Sequence, residues 1–228
     1  MQHLLSKISI HVNESVHLKN PESSDLGKKI LRGSIELIDE MGFESFTFRK
    51  LAKAIGSTEA SVYRYFESKH KLLLYLTSWY WGWMEYRLAF GLANVESPEE
   101  KLLRALDLLT ESATATDCFP HIDESKLHRI VVAESAKAYL TKAVDHENSE
   151  GAFAGYKSFV SRVSDIVLEI NVGYKYPHML VSTVIEGAHH QRYFMEHLPR
   201  LTDMVEGEDS VRMFYRKMVF SAIRKEEK

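Results

Sequence analysis

The sequence predicts an all-α protein of about nine helices, in which a small N-terminal helix-turn-helix unit precedes a larger helical body. Three observations carry this. Apolar residues recur three or four apart through most of the 228-residue chain, which contains only five prolines. Glycine or proline stands where those periodic runs break, as at Gly42, Gly56 and Pro98. Between Thr47 and Lys69, two short helical patterns flank a single glycine turn. A hydrophobic content of 45% is enough for a sizeable core. The expected division is an extension over 1–24, a helix-turn-helix unit over 25–72 and a larger helical body over 73–228.

In the extension, Ile8, Ile10 and Val12 alternate with polar residues, and Val16 and Leu18 alternate again. Period two suggests a short strand or small hairpin, with disorder as the alternative for so polar a tail. Asn20 to Asp25 reads as linker. A first helix from about Leu26 to Met41 places Ile30, Leu31, Ile35 and Ile38 on one side and stops at Gly42. Thr47 is the expected N-cap of a second helix, with Leu51, Ala54 and Ile55 inward. After Gly56, Ser57 or Thr58 opens a third helix whose inward residues are Val62 and Phe66.

Ser68 starts a long fourth helix running to about Leu92 through the aromatic run that contains Trp79, Trp81 and Trp83. Ser97-Pro98-Glu99-Glu100 is a strong helix start, because proline is tolerated at the first position and acids suit the positive end of the helix dipole. Further helices are expected over Pro98–Ala115, Glu124–Ala143, Ser149–Ile170, Pro177–Leu198 and Asp209–Arg224.

The formal net charge is −3. The segment from Asp25 to Lys71 nonetheless holds nine Lys/Arg against seven Asp/Glu, so it is locally cationic inside an acidic protein. A single cysteine, Cys118, excludes an intrachain disulfide, and a lone thiol fits a reducing cytoplasm. No signal-peptide pattern and no run of membrane-spanning length is visible, so a cytoplasmic protein without a membrane partner is expected.

The opening of the third helix carries the functional reading. A major groove about 12 Å wide admits one helix, and small or polar side chains at its N-terminal end let the backbone approach base edges. Ser57, Thr58, Ala60, Ser61 and Tyr63 stand there. Thr47 would offer its hydroxyl and nearby amides to a phosphate oxygen, while Arg49, Tyr63, Tyr65 and Lys69 are spaced to reach the sugar-phosphate backbone. Lys69 would act as a charge clamp, and Arg64 could meet either a base or a phosphate. The competing reading is an ordinary helical hairpin of a bundle with solvated charges, which leaves exposed Tyr63 and Tyr65 beside Lys69 unexplained.

From Lys28 to Leu74 the sequence resembles the DNA-binding domain of the tetracycline-repressor (TetR) family of transcriptional regulators. The residues that carry the likeness are Ile30-Leu31, Glu40-Met41-Gly42-Phe43, Thr47, Leu51-Ala52, Gly56, Ser61-Val62-Tyr63-Arg64-Tyr65-Phe66, Ser68-Lys69 and Leu72-Leu73. The chain departs from the family pattern at Ser57, Glu59 and Tyr65, and the last two bear on which bases are read. The resemblance implies a repressor that binds a near-palindromic double-stranded DNA operator as a homodimer. It also implies a small-molecule effector in an all-helical regulatory domain and dimerisation through the last two helices.

The candidate effector residues are Trp79, Trp83, Tyr86, His128, Tyr156 and His189, an aromatic set that favours an apolar or aromatic effector. Core packing is the competing explanation for the tryptophans. The candidate dimer residues are Val184, Ala188 and Gln191 on one late helix with Phe214 and Met218 on the other, where small residues permit close approach. An ordinary helix pair within one chain is the alternative.

Other constellations are thinner. Glu186 and His189 match one Glu-x-x-His element of a metal-carboxylate bundle, but no second copy occurs at the required spacing. Cys118 and His121 lack an orienting acid. No phosphate loop, nucleophile elbow or zinc helix is visible, so no catalytic residue, cofactor or metal is expected. A helical metal-carboxylate enzyme and an interaction module that ignores DNA are the rival classes.

Overall fold

The computed structural model describes residues 10–112 and 119–224, which form eleven α-helices and three short 3₁₀ turns, with no strand among the described residues. The all-α class holds. The chain divides into two compact units, one of residues up to Trp83 with 113–155, the other of Met84–Ser112 with Tyr156–Lys228.

In the first unit, helix α1 (Asp25–Ser45) starts at Ser24, whose hydroxyl accepts the Gly27 N–H, and is kinked at Gly42 (φ 75°, ψ 157°), a backbone region open in practice only to glycine. The expected stop at Gly42 is thus a kink followed by one more turn. Helix α2 (Phe48–Ala54) is capped by Thr47, and α3 (Glu59–Tyr63) by Thr58. Gly56, at φ 65°, makes the turn between them. Ile30, Leu31, Ile35, Ile38, Phe46, Phe48, Leu51, Val62 and Phe66 form the small core of this hairpin and α1. Phe48 rather than Ala54 fills the inner face of α2, since Ala54 is exposed.

Helix α4 (Lys69–Gly91) supplies residues to both units. Its stretch from Leu72 to Met84 is buried almost all round, including Trp81, the mark of a central core helix rather than an amphipathic one. The expected helix over Glu124–Ala143 is two helices, α6 (Glu124–Glu134) and α7 (Ala136–Tyr139), and a further short helix α8 (Val144–Ser149) follows. The break has a local cause: hydrogen bonding tightens at Ala138 N–H to Ser135 O, 2.8 Å, and Leu140 leaves the helical region at ψ 57°. Buried Glu147 on α8 holds the start of α4 through His70 Nε2 at 3.0 Å and Lys71 Nζ at 3.5 Å.

The extension also differs from the expected hairpin. Its described part, residues 10–24, forms 3₁₀ turns at Glu14–Val16 and Pro21–Ser23, with Val12, Val16 and Pro21 buried. The rest of the predicted alternation, Ile8 included, lies outside the described residues.

In the second unit, α5 (Pro98–Thr110) is capped by Ser97 as the sequence indicates; its expected continuation to Ala115 runs into residues outside those described. It packs with α10 (Pro177–His197) and α11 (Ser210–Ile223), and α9 (Ala154–Ile170) contributes Val163, Ile166 and Val167 to the core. Arg216 grips Asp107 through two hydrogen bonds, and Arg192 joins Thr110 O to Asp209. No described helix is long and apolar enough to cross a membrane.

Candidate nucleic-acid interface

The two short helices place the predicted residues in three different situations. Those at the start of α3 are open to solvent: Thr58, Glu59, Ala60, Tyr63 and Arg64 are exposed, and Ser57 and Ser61 are partly so. Val62 alone turns inward and anchors the helix. Thr58 Oγ1 accepts the Ser61 N–H at 3.2 Å and shares a 2.8 Å hydrogen bond with Ser61 Oγ, which fixes both side chains at the helix entrance. Tyr63 is 47% exposed, and its ring edge rests on Phe48 at 5.0 Å. That contact sets Tyr63 beside the first turn of α2, where Thr47 and Arg49 are exposed. Thr47 Oγ1 accepts the Lys50 N–H, so the hydroxyl already serves its own helix.

Arg49 and Arg64 make no ion pair among the described residues, and Lys53, which the sequence reading passed over, stands exposed in the same condition. Its only signal in the sequence is its place on the outer face of α2. These three cations, with the small polar end of α3, are the groups available to a phosphate or a base edge.

Two predicted contacts are corrected. Tyr65 is 3% exposed, and its hydroxyl is spent on Ser24 Oγ at 2.8 Å, so it does not reach outward. Lys69 does not present a free ammonium: Nζ donates to the carbonyls of Phe43, Glu44 and Phe46 at 3.1, 3.2 and 3.4 Å and sits 4.7 Å from the Phe43 ring centroid. The carbonyls it satisfies are the ones that the end of α1 leaves orphaned.

The same end of α1 is tied to α6. The N–H of Phe43, freed by the kink at Gly42, donates to Glu134 Oε1 at 3.1 Å. Arg129 makes two 2.8 Å hydrogen bonds to Asp39. Lys137 bridges Glu134 and Glu44 at 2.6 and 3.2 Å; its hydrogen bond to Glu134 raises its pKa above the ordinary lysine value. The links from α1 to Glu134, Arg129 and Lys137 carried no sequence signal, because each joins residues about ninety positions apart.

Of the predicted effector residues, Trp79, Trp83 and His128 lie in the first unit and are buried. Trp79 stacks on Trp83 at 6.4 Å and meets Phe119 edge-on at 4.8 Å, while His128 Nδ1 and the Tyr80 hydroxyl are 2.9 Å apart. Tyr86, Tyr156 and His189 belong to the second unit; Tyr156 donates to Glu186 Oε1 at 3.1 Å. None of the six lines the groove of about 440 Å³ in that unit, whose walls include Leu88, Leu92, Leu108 and Arg212. Among the described residues no three His, Cys, Asp or Glu side chains converge as a metal site would need. Cys118 lies outside the described residues.

Two of the predicted dimer residues are corrected as well. Val184 and Ala188 are buried within their own chain, at 1% and 0% exposure. The small residues of α10 serve α11 instead: a Cβ at Gly187 would meet the Tyr215 hydroxyl at 2.2 Å. Gln191 and Met218 are partly exposed, and Phe214 is exposed.

Residues 30–76 match the family described as "Bacterial regulatory proteins, tetR family". No curated protein matches the sequence. Among solved structures, AibR in complex with isovaleryl coenzyme A and operator DNA is similar over 84% of this chain and 95% of its own, at 16% identity and a TM-score of 0.54. The TetR family transcriptional regulator PfmR from Thermus thermophilus is similar over 87% and 99%, at 17% identity and 0.54. The superantigen PfiT is similar over 89% and 97%, at 16% identity and 0.57. At such identities the likeness establishes the fold. Residues 30–76 thus match the tetR family of bacterial regulatory proteins, and the all-helical fold is one shared with a solved regulator of that family.

Proposed function

We propose that this protein is a ligand-responsive transcriptional repressor that binds a near-palindromic DNA operator as a homodimer. The observation that carries the reading is the exposed end of α3. Thr58 and Ala60 are exposed there and Ser61 partly so, all without bulk, with Glu59 beside them and exposed Arg49, Lys53, Tyr63 and Arg64 around them. A helix so furnished can enter a major groove, with the cations meeting the phosphates on either side.

The effector belongs, in this reading, against the Trp79–Trp83 wall in the first unit, with the Tyr80–His128 pair as its polar anchor, which suits an apolar or aromatic molecule. The bound ligand of AibR, isovaleryl coenzyme A, has an apolar acyl group and gives the expectation some support. A route to the DNA-binding helices is built into α6. His128 faces the core of that helix, and the next residue, Arg129, grips Asp39 of α1. A ligand that moves His128 therefore shifts the anchorage of α1 and the spacing of the two reading helices. It acts only through its preference for one spacing over another.

The test is selection of bound duplexes from random DNA, followed by titration with salt. Specific affinity should fall steeply as salt rises; Arg49→Ala should weaken every duplex and lower the salt slope by about one, while Ser61→Ala should change sequence preference. Salt-independent binding, or equal binding by the parent and both variants, would refute the proposal and leave a helical interaction module.

A further inference from the structure

The described part of the N-terminal extension crosses the first unit as a strap and meets the chain at Tyr65, just beyond the reading helix. At one end, Ile10 lies against α4 at Gly82, so closely that a Cβ there would stand 2.7 Å from Ile10 Cγ2. The strap then passes Gly151, where Asn13 Nδ2 would lie 2.8 Å from an added Cβ, and buries Val12 and Val16. His17 sets its ring edge on Tyr75 of α4 at 5.7 Å, and Tyr75 in turn meets Phe66 at 5.4 Å.

Three strap residues then converge on one residue, Tyr65. The Leu18 N–H donates to the Tyr65 carbonyl at 2.8 Å, the Lys19 ammonium stands 5.2 Å from the Tyr65 ring centroid, and Ser24 Oγ shares a hydrogen bond with its hydroxyl at 2.8 Å. The backbone, face and tip of Tyr65 are thus each held by the strap.

Helix α3 spans only Glu59–Tyr63, buries only Val62 and adds the Tyr63 edge on Phe48, so its own hydrogen bonds and apolar area hold its orientation weakly. Its pose depends on what holds its two ends. The Thr58 cap and the Gly56 turn fix the first end, and Tyr65, two residues beyond Tyr63, fixes the second. We propose that the strap, acting through Tyr65, is the positioning element of the reading helix, a second linkage between α3 and α4 beside the chain connection itself. Tyr65 is on this account a positioning residue and not a DNA contact. The consequence for DNA rests on the function proposed above: a helix held in its docking pose loses less freedom on binding, so releasing it weakens all duplexes alike without removing a phosphate contact.

The full-length protein can be tested with Tyr65→Phe, Lys19→Ala and the double variant Leu18→Pro/Tyr65→Phe. Proline at position 18 removes the donor N–H, the Leu18 side chain is exposed, and His17 already has the extended conformation a following proline requires (φ −147°, ψ 151°). Two readouts are needed: amide hydrogen exchange over residues 59–66 without DNA, and affinity for matched and unrelated duplexes at several salt concentrations. In the double variant, exchange over α3 should quicken by about tenfold or more, with helices elsewhere unchanged. Affinity should fall by a similar factor for both duplexes at an unaltered salt slope, with Tyr65→Phe intermediate.

Unchanged exchange over α3 in the double variant would overturn the proposal. So would Lys19→Ala lowering the salt slope by about one, since the strap would then touch DNA itself. Should the double variant not fold, Tyr65→Phe and Lys19→Ala decide by the same two readouts. A parent protein that binds no DNA at all would defeat the proposed function, while the exchange measurement would still judge the strap.

Discussion

Burial lowers the pKa of His17 below the ordinary histidine value; the His11 charge pushes the same way, while Glu14 and a hydrogen bond with the Val12 backbone oppose it. The other titratable groups around it are Tyr75 on α4 and Glu22 in the strap. Folded protein therefore holds a neutral imidazole where the unfolded chain would take up a proton. The stability tied to His17 is complete above its unfolded pKa of about 6.5 and is lost as pH falls toward the lower folded value. His17→Phe keeps an aromatic edge for Tyr75 and removes the titration. Its Tm should consequently drop less than the parent's between about pH 7.5 and 5.5, and equal drops would mean that His17 titrates alike in both states. At this scale the sequence was least legible. Tyr65 and Lys69 have the chemistry of DNA contacts, and nothing in their neighbours along the chain shows that Ser24, Leu18 and the carbonyls of Phe43, Glu44 and Phe46 already occupy them.

Helix ends were far more legible, because a cap is a local event. Thr47, Thr58 and Ser97 stand where their side chains accept an N–H of the first turn, as their residue types and positions indicate. The C-terminal end of α1 is different, since its carbonyls are capped by Lys69 from a position 23 to 26 residues away. Lys69→Met retains the stem over Phe43 and deletes the ammonium. It should cost about 1–2 kcal/mol in denaturant unfolding, because a charged donor to otherwise orphaned carbonyls is lost. DNA affinity should fall with stability while the salt slope stays at the parent value; a slope lower by about one would restore Lys69 as a phosphate clamp. The strap shows the opposite limit of local reading. The alternation of Ile10, Val12, Val16 and Leu18 fits a strand, but period two reports only that successive side chains oppose each other, not that a partner strand exists. Nor did apolar periodicity reveal the break between α6 and α7, because it continues through Ser135, where the backbone bonding changes.

For the whole molecule, the homodimer proposed above needs a surface that one copy can present to another. The small residues of α10 suggested a seam at Val184 and Ala188, yet both are buried within the chain, and Gly187 beside them lies against Tyr215 on α11. What the fold leaves open is a different set. Met179 and Tyr193 on α10 and Met213 and Phe214 on α11 are exposed at 67%, 39%, 46% and 57%, and Thr183 and His190 lie between the first two on the same helical face. Exposed apolar side chains gathered on two helices are what an isologous two-fold contact can bury, each copy presenting the same patch to the other. The proposed repressor needs that contact, because one reading helix alone covers half an operator. Phe214→Glu should therefore leave the fold intact, since the side chain is already in solvent, and shift the sedimenting mass from twice the chain to one. Operator affinity should fall with it by about a hundredfold or more, as half of the base and phosphate contacts are lost. Ala188→Glu should instead unfold the second unit, because it forces a charge into a fully buried site. A Phe214→Glu protein that still sediments as a dimer would place the contact elsewhere on the molecule.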